Sequence, residues 1–266
     1  MTVLDELFPG FTDERMIARG VEIFARIGGR GPPLLLLHGY PETHACWHRV
    51  APALAQHFTV IAPDLRGYGR SGCPSSDGNH RAYSKRTMAL DIAALMTALG
   101  YEQFSVMGHD RGARVGFRLA LDAPKRVERL VLLDIIATSD IARLREEGFK
   151  LGMLHGVFLS QPAPLPESLI MQNPQDWVES RFRRATLAKS SDVIHPVAMA
   201  DYIDMLAHAD RVHATCEDYR SEHRVDLVLD QNDRDAGTRI SCPVQVLWAT
   251  ERSRADISSP RKIRRR

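Results

Sequence analysis

Short, nearly continuous apolar runs recur along the chain, each bounded by turn residues: Leu34–Gly39, Phe58–Pro63, Phe104–Gly108, Arg129–Ile135 and Pro243–Ala249. Val21–Ile27 alternates instead and ends in Gly28-Gly29. Strands apolar on both faces, with helical stretches between them, predict an α/β architecture around a mostly parallel sheet covered on both sides. Over Tyr83–Leu99, Ala89, Ile92, Ala93 and Met96 recur at helical spacing, and Gly100 predicts the stop. A second helix is expected over Gly112–Leu121, straight after the Phe104 strand. Gly28-Gly29-Arg30-Gly31 is not followed by a helix, so it reads as a hairpin turn rather than a dinucleotide motif.

The rhythm stops after Asp134 and returns at Pro243. Residues 137–239 read as helical or irregular, with a proline-rich hinge at Gln161–Pro166. The expected organisation is a core over 1–136, a helical cap over 137–239, a returning core strand over 240–251 and a basic tail without structure over 252–266. No internal repeat is visible.

Charge changes the picture only locally. The tail carries seven basic residues and one acid, a net of +6; the whole chain is +2, so residues 1–251 carry +2 − 6 = −4. The body therefore gives no electrostatic case for nucleic acid. The longest apolar run, Leu34–Leu37, is far too short for a membrane span, and the acidic N-terminus does not read as a signal peptide. Cys46, Cys73, Cys216 and Cys242 lack metal or redox spacing and read as free thiols of a reducing cytoplasm. His44, His48 and His57 lie near one another in sequence, but no acid or cysteine completes a metal set, so no metal is expected.

The chemistry concentrates at Gly108-His109-Asp110-Arg111-Gly112, between an apolar strand and a helix. A sharp strand-to-helix turn needs small flanking residues and lifts residue 110 above the sheet, where the helix N-terminus favours a carboxylate. A carboxylate placed so can attack carbon and form an ester; the plain alternative is an Asp that caps its helix. The His38-Gly39-Tyr40-Pro41 loop would lend a backbone N–H near Asp110, partnered by that of Arg111. Arg111 and Arg114 share one helix face and suit a substrate carboxylate, unless they pair with structural acids such as Asp122 or Glu128. Asp134, at a strand end, could orient a histidine, with Glu251 as competitor.

With these residues in view, the chain resembles the fluoroacetate (haloacetate) dehalogenases of the α/β-hydrolase superfamily. The resemblance runs to about Trp248 and is carried by LFPGF near the start, LLLLHGYPETH at 34–44, WHRVAP at 47–52, GHDRGAR at 108–114, LVLLDI at 130–135, FLSQPAPLPE at 158–167 and CEDYR at 216–220. It implies an α/β-hydrolase fold with the cap inserted after the sixth strand, no cofactor, a small halogenated carboxylate as substrate and, by family habit, a homodimer. It also implies roles. Asp110 would displace halide, Arg111 and Arg114 would hold the carboxylate, His155 and Tyr219 would cradle the halide, and Asp134 would orient a histidine that activates water.

Two departures follow. Gly156 stands where the family has Trp, which removes an indole donor and should hurt C–F cleavage most. The last histidine is His223, so the base expected after the final strand is absent, as are the family's final strand and helix. The tail then reads as a truncation or a change of reading frame, which would leave sheet surface uncovered, and the expected chemistry is ester formation followed by a stall. Two rivals share the pattern: an epoxide hydrolase, for which Tyr202 and Tyr219 would be the cap tyrosines, and a non-catalytic binder of small carboxylates.

Overall fold

The computed structural model describes residues 3–136, 138, 140, 154–185 and 194–247. Seven strands form one sheet in the order β1-β2-β4-β3-β5-β6-β7. They are β1 (Phe11–Ala18), β2 (Val21–Gly28), β3 (Pro33–Leu37), β4 (Thr59–Pro63), β5 (Phe104–His109), β6 (Val127–Leu133) and β7 (Val244–Leu247). β1, β2 and β4 pair antiparallel and every other pair is parallel.

The apolar runs of β3, β4, β5 and β6 became central strands because both of their faces are covered, whereas the Pro243 run, expected to be covered likewise, became the exposed strand β7 at the end of the sheet order. In β3, Leu35 and Leu37 join one apolar cluster with Ile61, Val106 and Leu130, while Leu34 and Leu36 join a second with Val60, Ala62 and Trp47. Each such side chain contributes about 1.5–3 kcal/mol through burial. After the short helix α1 (Ala51–Leu54), helices α2 (Lys85–Ala98) and α3 (Arg111–Asp122) follow the predicted pattern, and Ser84 caps α2 by accepting from the Thr87 N–H.

Two expectations about the N-terminal region are corrected. β1 was not visible as an apolar run because Thr12–Arg15 are exposed on this edge strand and only Ala18 is buried. The hairpin lies not at Gly28–Gly31 but at Arg19-Gly20, where both residues have positive φ between the paired Ala18 and Val21. Gly28–Gly31 instead leads from β2 to β3, which are not paired with each other, since β4 lies between them.

Between β6 and β7 the described elements are helical: α4 (Leu154–Leu159), α5 (Leu165–Ile170), α6 (Pro174–Ala185), α7 (Pro196–Leu206), α8 (Ala209–Ser221), a π turn at Glu222–Asp226 and α9 (Leu227–Asp235). These helices are called the cap below. Among the described residues β7 is the sheet edge, with Val244, Val246 and Leu247 exposed. Trp248, Glu251 and the basic tail lie outside the described residues. Among the described residues, no helix is long and apolar enough to cross a membrane.

Candidate active site

Asp110 stands at the junction of β5 and α3 with φ 47° and ψ −114°, a strained backbone for a residue with a side chain. The close packing explains the glycines. A Cβ on Gly112 would lie 2.3 Å from the Leu37 carbonyl oxygen, and one on Gly39 would lie 2.6 Å from Asp110 Cβ. Although Asp110 occupies the N-cap position, its carboxylate makes no capping bond to α3. It accepts from the Tyr40 backbone N–H at 3.1 Å instead. The plain capping role is therefore excluded, and the carboxylate faces the loop after β3.

That loop is locked to the elbow by a residue the motif reading passed over. Glu42 Oε2 accepts from the Gly39 N–H at 3.1 Å and from His109 Nδ1 at 2.9 Å. His109 is 32% exposed, yet the Glu42 carboxylate outweighs its partial burial; with help from Asp110 and Asp134, it raises the imidazole pKa to about 9. Burial opposes ionisation of Asp110 as well. The charges of His109 and Arg111, the Tyr40 N–H and the charge of Arg114 overcome it and hold the carboxyl below its usual range. His38 has a different task from its neighbours Gly39 and Tyr40: fully buried, it donates from Nδ1 to the Gly39 carbonyl and accepts the Leu65 N–H on Nε2, so it braces the loop from behind.

The two arginines meet acids, but not the expected ones. Asp122 pairs with Arg86 and Arg118. Arg111 reaches the cap: Nε and Nη2 donate to Asp218 at 3.0 and 2.7 Å, Nη2 also donates to the Asp218 carbonyl at 2.8 Å, and Nη1 donates to Glu222. Its guanidinium lies 4.1 Å from the Tyr219 ring centroid. Arg114 Nη1 is 2.9 Å from Glu222 and donates to Thr138 at 3.1 Å, while its buried Nε donates to nothing among the described residues. Asp218 also receives the Tyr68 hydroxyl at 2.7 Å and the Lys85 ammonium. Burial would push the Asp218 carboxyl up, but Arg111 and Lys85 bring it down to about 2.

Three rings gather around Tyr40, the residue that holds Asp110 through its N–H. His155 from α4 lies 5.9 Å from Tyr219 of α8, and Tyr40 lies 6.1 Å from His155 and 5.4 Å from Tyr219. Trp177 of α6 donates its indole N–H to the Tyr40 hydroxyl at 2.5 Å. A Cβ on Gly156 would sit in ordinary contact with the Tyr219 ring, at 3.6 Å. Tyr202 is elsewhere: it is buried and stacks on Phe182 at 5.5 Å, so the tyrosine beside Tyr219 is Tyr40. Asp134 stands just past β6 with φ 51°, its N–H donating to the Leu247 carbonyl at 2.9 Å.

A strained carboxylate on a strand-to-helix elbow, met by a backbone N–H from the preceding loop, is the arrangement of one family, and residues 32–251 match its model, described as alpha/beta hydrolase fold. The chain belongs to the α/β-hydrolase family. It is 39% identical over 240 residues to a fluoroacetate dehalogenase from Burkholderia sp, covering 90% of this chain and 78% of that protein. Among solved structures it is similar to a Nostoc sp PCC 7120 protein assigned as an α/β hydrolase, at 47% identity and TM-score 0.86, covering 91% of this chain and 81% of that one. It is also similar to a Pseudomonas aeruginosa protein assigned as an epoxide hydrolase, at 44% identity and TM-score 0.84, covering 91% and 80%. This α/β hydrolase thus has relatives with both dehalogenase and epoxide hydrolase names.

His109, Glu42, Trp177, Asp218 and Glu222 escaped the motif reading. For the last two a signal existed: Asp218, Glu222, Asp226 and Asp230 recur every four residues, opposite a helix bearing Arg111, Arg114 and Arg118.

Proposed function

We propose that this chain cleaves the carbon–halogen bond of small 2-haloacids by nucleophilic attack of Asp110. The carrying observation is the Asp110 carboxylate itself, held ionised, turned from its helix and fixed by the Tyr40 N–H. One of its oxygens bonds to the α-carbon, the carbon–halogen bond breaks, and halide leaves with the electron pair. Arg114, with Nε unengaged among the described residues, is the donor for the substrate carboxylate. Arg111 is engaged by Asp218 and Glu222, so its contribution is chiefly its charge and the placing of Tyr219. His155 and Tyr219 line the halide side.

Hydrolysis of the ester needs a base. His109 keeps its proton up to about pH 9 and cannot serve near neutrality. The expected chemistry is esterification of Asp110 with release of halide. Incubation with bromoacetate followed by peptide mass spectrometry tests this. Bromide release with an ester on Asp110, transient or lasting, is expected; neither bromide release nor an ester sinks the reading.

A second reading, epoxide opening, is favoured by the Tyr40–Tyr219 pair beside Asp110 and by the engagement of Arg111. Turnover or esterification by styrene oxide but not by bromoacetate would decide for it.

A further inference from the structure

Tyr40 belongs to the loop after β3, yet its ring rises among cap residues. It lies nearly parallel to the His155 ring, at 10°, and edge-on to Tyr219, at 81°. The whole residue is only 9% exposed. The Trp177 indole N–H is a donor and never an acceptor, so in their 2.5 Å bond the Tyr40 oxygen accepts. The hydroxyl proton of Tyr40 must then turn elsewhere, and no described residue accepts it. At its other end the same residue holds Asp110 through its backbone N–H. Tyr40 thus touches the nucleophile with its main chain and carries an unengaged donor into the roof.

Displacement at carbon puts the departing atom on the side opposite the attacking oxygen, which here is the roof side. We propose that the Tyr40 hydroxyl, steered by Trp177, donates a hydrogen bond to the leaving atom as Asp110 attacks, working beside Tyr219. This rests on the reading of Asp110 as nucleophile. The phenol keeps its proton throughout: the bond from Asp110 to carbon forms, the carbon–halogen bond breaks, and halide departs hydrogen-bonded to Tyr40. Burial pushes the Tyr40 hydroxyl well above its ordinary range, so it stays a neutral donor at working pH. Such a donor matters more as the leaving group worsens, because more charge must be stabilised in the transition state.

Tyr40→Phe keeps the ring and removes the donor. Single-turnover esterification of Asp110 is measured with bromoacetate and chloroacetate by intact-protein mass spectrometry. The variant should be slower by about 10- to 100-fold, the size of one hydrogen bond to a charged acceptor, with chloroacetate hit harder. Trp177→Phe should move the rates the same way by less. The double variant should be no slower than Tyr40→Phe, since Trp177 acts through Tyr40. Equal loss on both substrates, or none, overturns the proposal, as does full additivity of the two changes.

Bromide binding, followed by quenching of tryptophan fluorescence, needs no chemistry. The wild type should bind at least several-fold more tightly than Tyr40→Phe, and equal affinity again overturns the role. If the wild type neither forms an ester with, nor releases halide from, either haloacetate, the dehalogenase reading falls and the bromide titration alone decides for or against Tyr40. Should Tyr40→Phe fail to fold, as judged by its thermal melt, Trp177→Phe against wild type decides by the esterification rates on the two haloacetates.

Discussion

Beneath Asp110 the structure is held by side chains without charge: Leu35 and Leu37 on one face of the sheet, Leu34 and Leu36 on the other. Above it, cap and core meet through ions. Asp218, Glu222, Asp226, Asp230 and Asp233 run down α8, the π turn and α9, facing Lys85, Arg111, Arg114 and Arg118. Apolar burial is non-directional, so the floor tolerates any shape that fills it. Buried ion pairs are directional, and removing one partner leaves a charge without compensation. The contrast teaches how the site is assembled: the floor sets the height of Asp110, and the charged seam sets which cap residues stand near it.

The sharpest separation of the two regions comes from the residue between them. Asp110→Asn should abolish ester formation and lower any turnover by about 10⁴-fold or more, with little change in the unfolding midpoint. Ester appearing on another residue in that variant would remove Asp110 from its role. Next in size is the seam. Asp218→Ala strands Arg111 and Lys85 and should cost about 3–5 kcal/mol in urea unfolding, and it should displace Tyr219 and slow esterification too. The floor counterpart, Leu36→Ala, should cost about 2–5 kcal/mol while leaving the esterification rate of the folded protein nearly unchanged. If Asp218→Ala were neutral for both stability and rate, the contrast between floor and seam would collapse.

The two regions should also part along the pH axis. Asp218 is depressed from 3.8 to about 2, so its contribution is whole above the ordinary value and is lost only as pH falls through about 2. His109, next to Asp110 on the elbow, is raised from 6.5 to about 9; its contribution is whole below 6.5 and is lost as pH rises through about 9. Melting temperature should therefore fall between pH 7 and 10 more steeply in wild type than in His109→Gln. Parallel curves would deny the Glu42–His109 clamp its charge. The smallest effect is expected at Gly156→Ala. It adds a methyl at 3.6 Å from Tyr219 within a helix and should stabilise by about 0.5–1 kcal/mol. A clear loss of stability there would show that the roof has less room than the contact distance implies.

Much of this was legible early because it depends on local chemistry. Five apolar runs gave strands, Gly100 stopped a helix, and the flanking glycines of Asp110 announced a sharp turn. β1 was not legible, because an edge strand with one wet face carries no apolar run. The hairpin was assigned to the wrong glycines because turn chemistry alone does not say which strands pair. In the site, Asp110, Arg111, Arg114, His155 and Tyr219 were singled out, and Tyr219 and His155 do stand together. Tyr202 was weighed as a partner of Tyr219 on cap membership alone, whereas contact is set by which helix faces inward, and Tyr40 takes that place.

What the sequence determined by itself is the elbow and its fold: a carboxylate between two glycines, after a strand and before a helix, leaves few arrangements that satisfy sterics and backbone bonding. What only the tertiary structure decided is which polar groups remain open to a substrate. Arg111 and Arg114 are equivalent in sequence, three residues apart on one helix. Long-range pairing with Asp218 and Glu222 engages the first on every side and leaves the second with a buried N–H unengaged among the described residues. Hydrogen-bonding capacity is finite and is divided among neighbours distant in sequence, so that division appears only once the chain is folded.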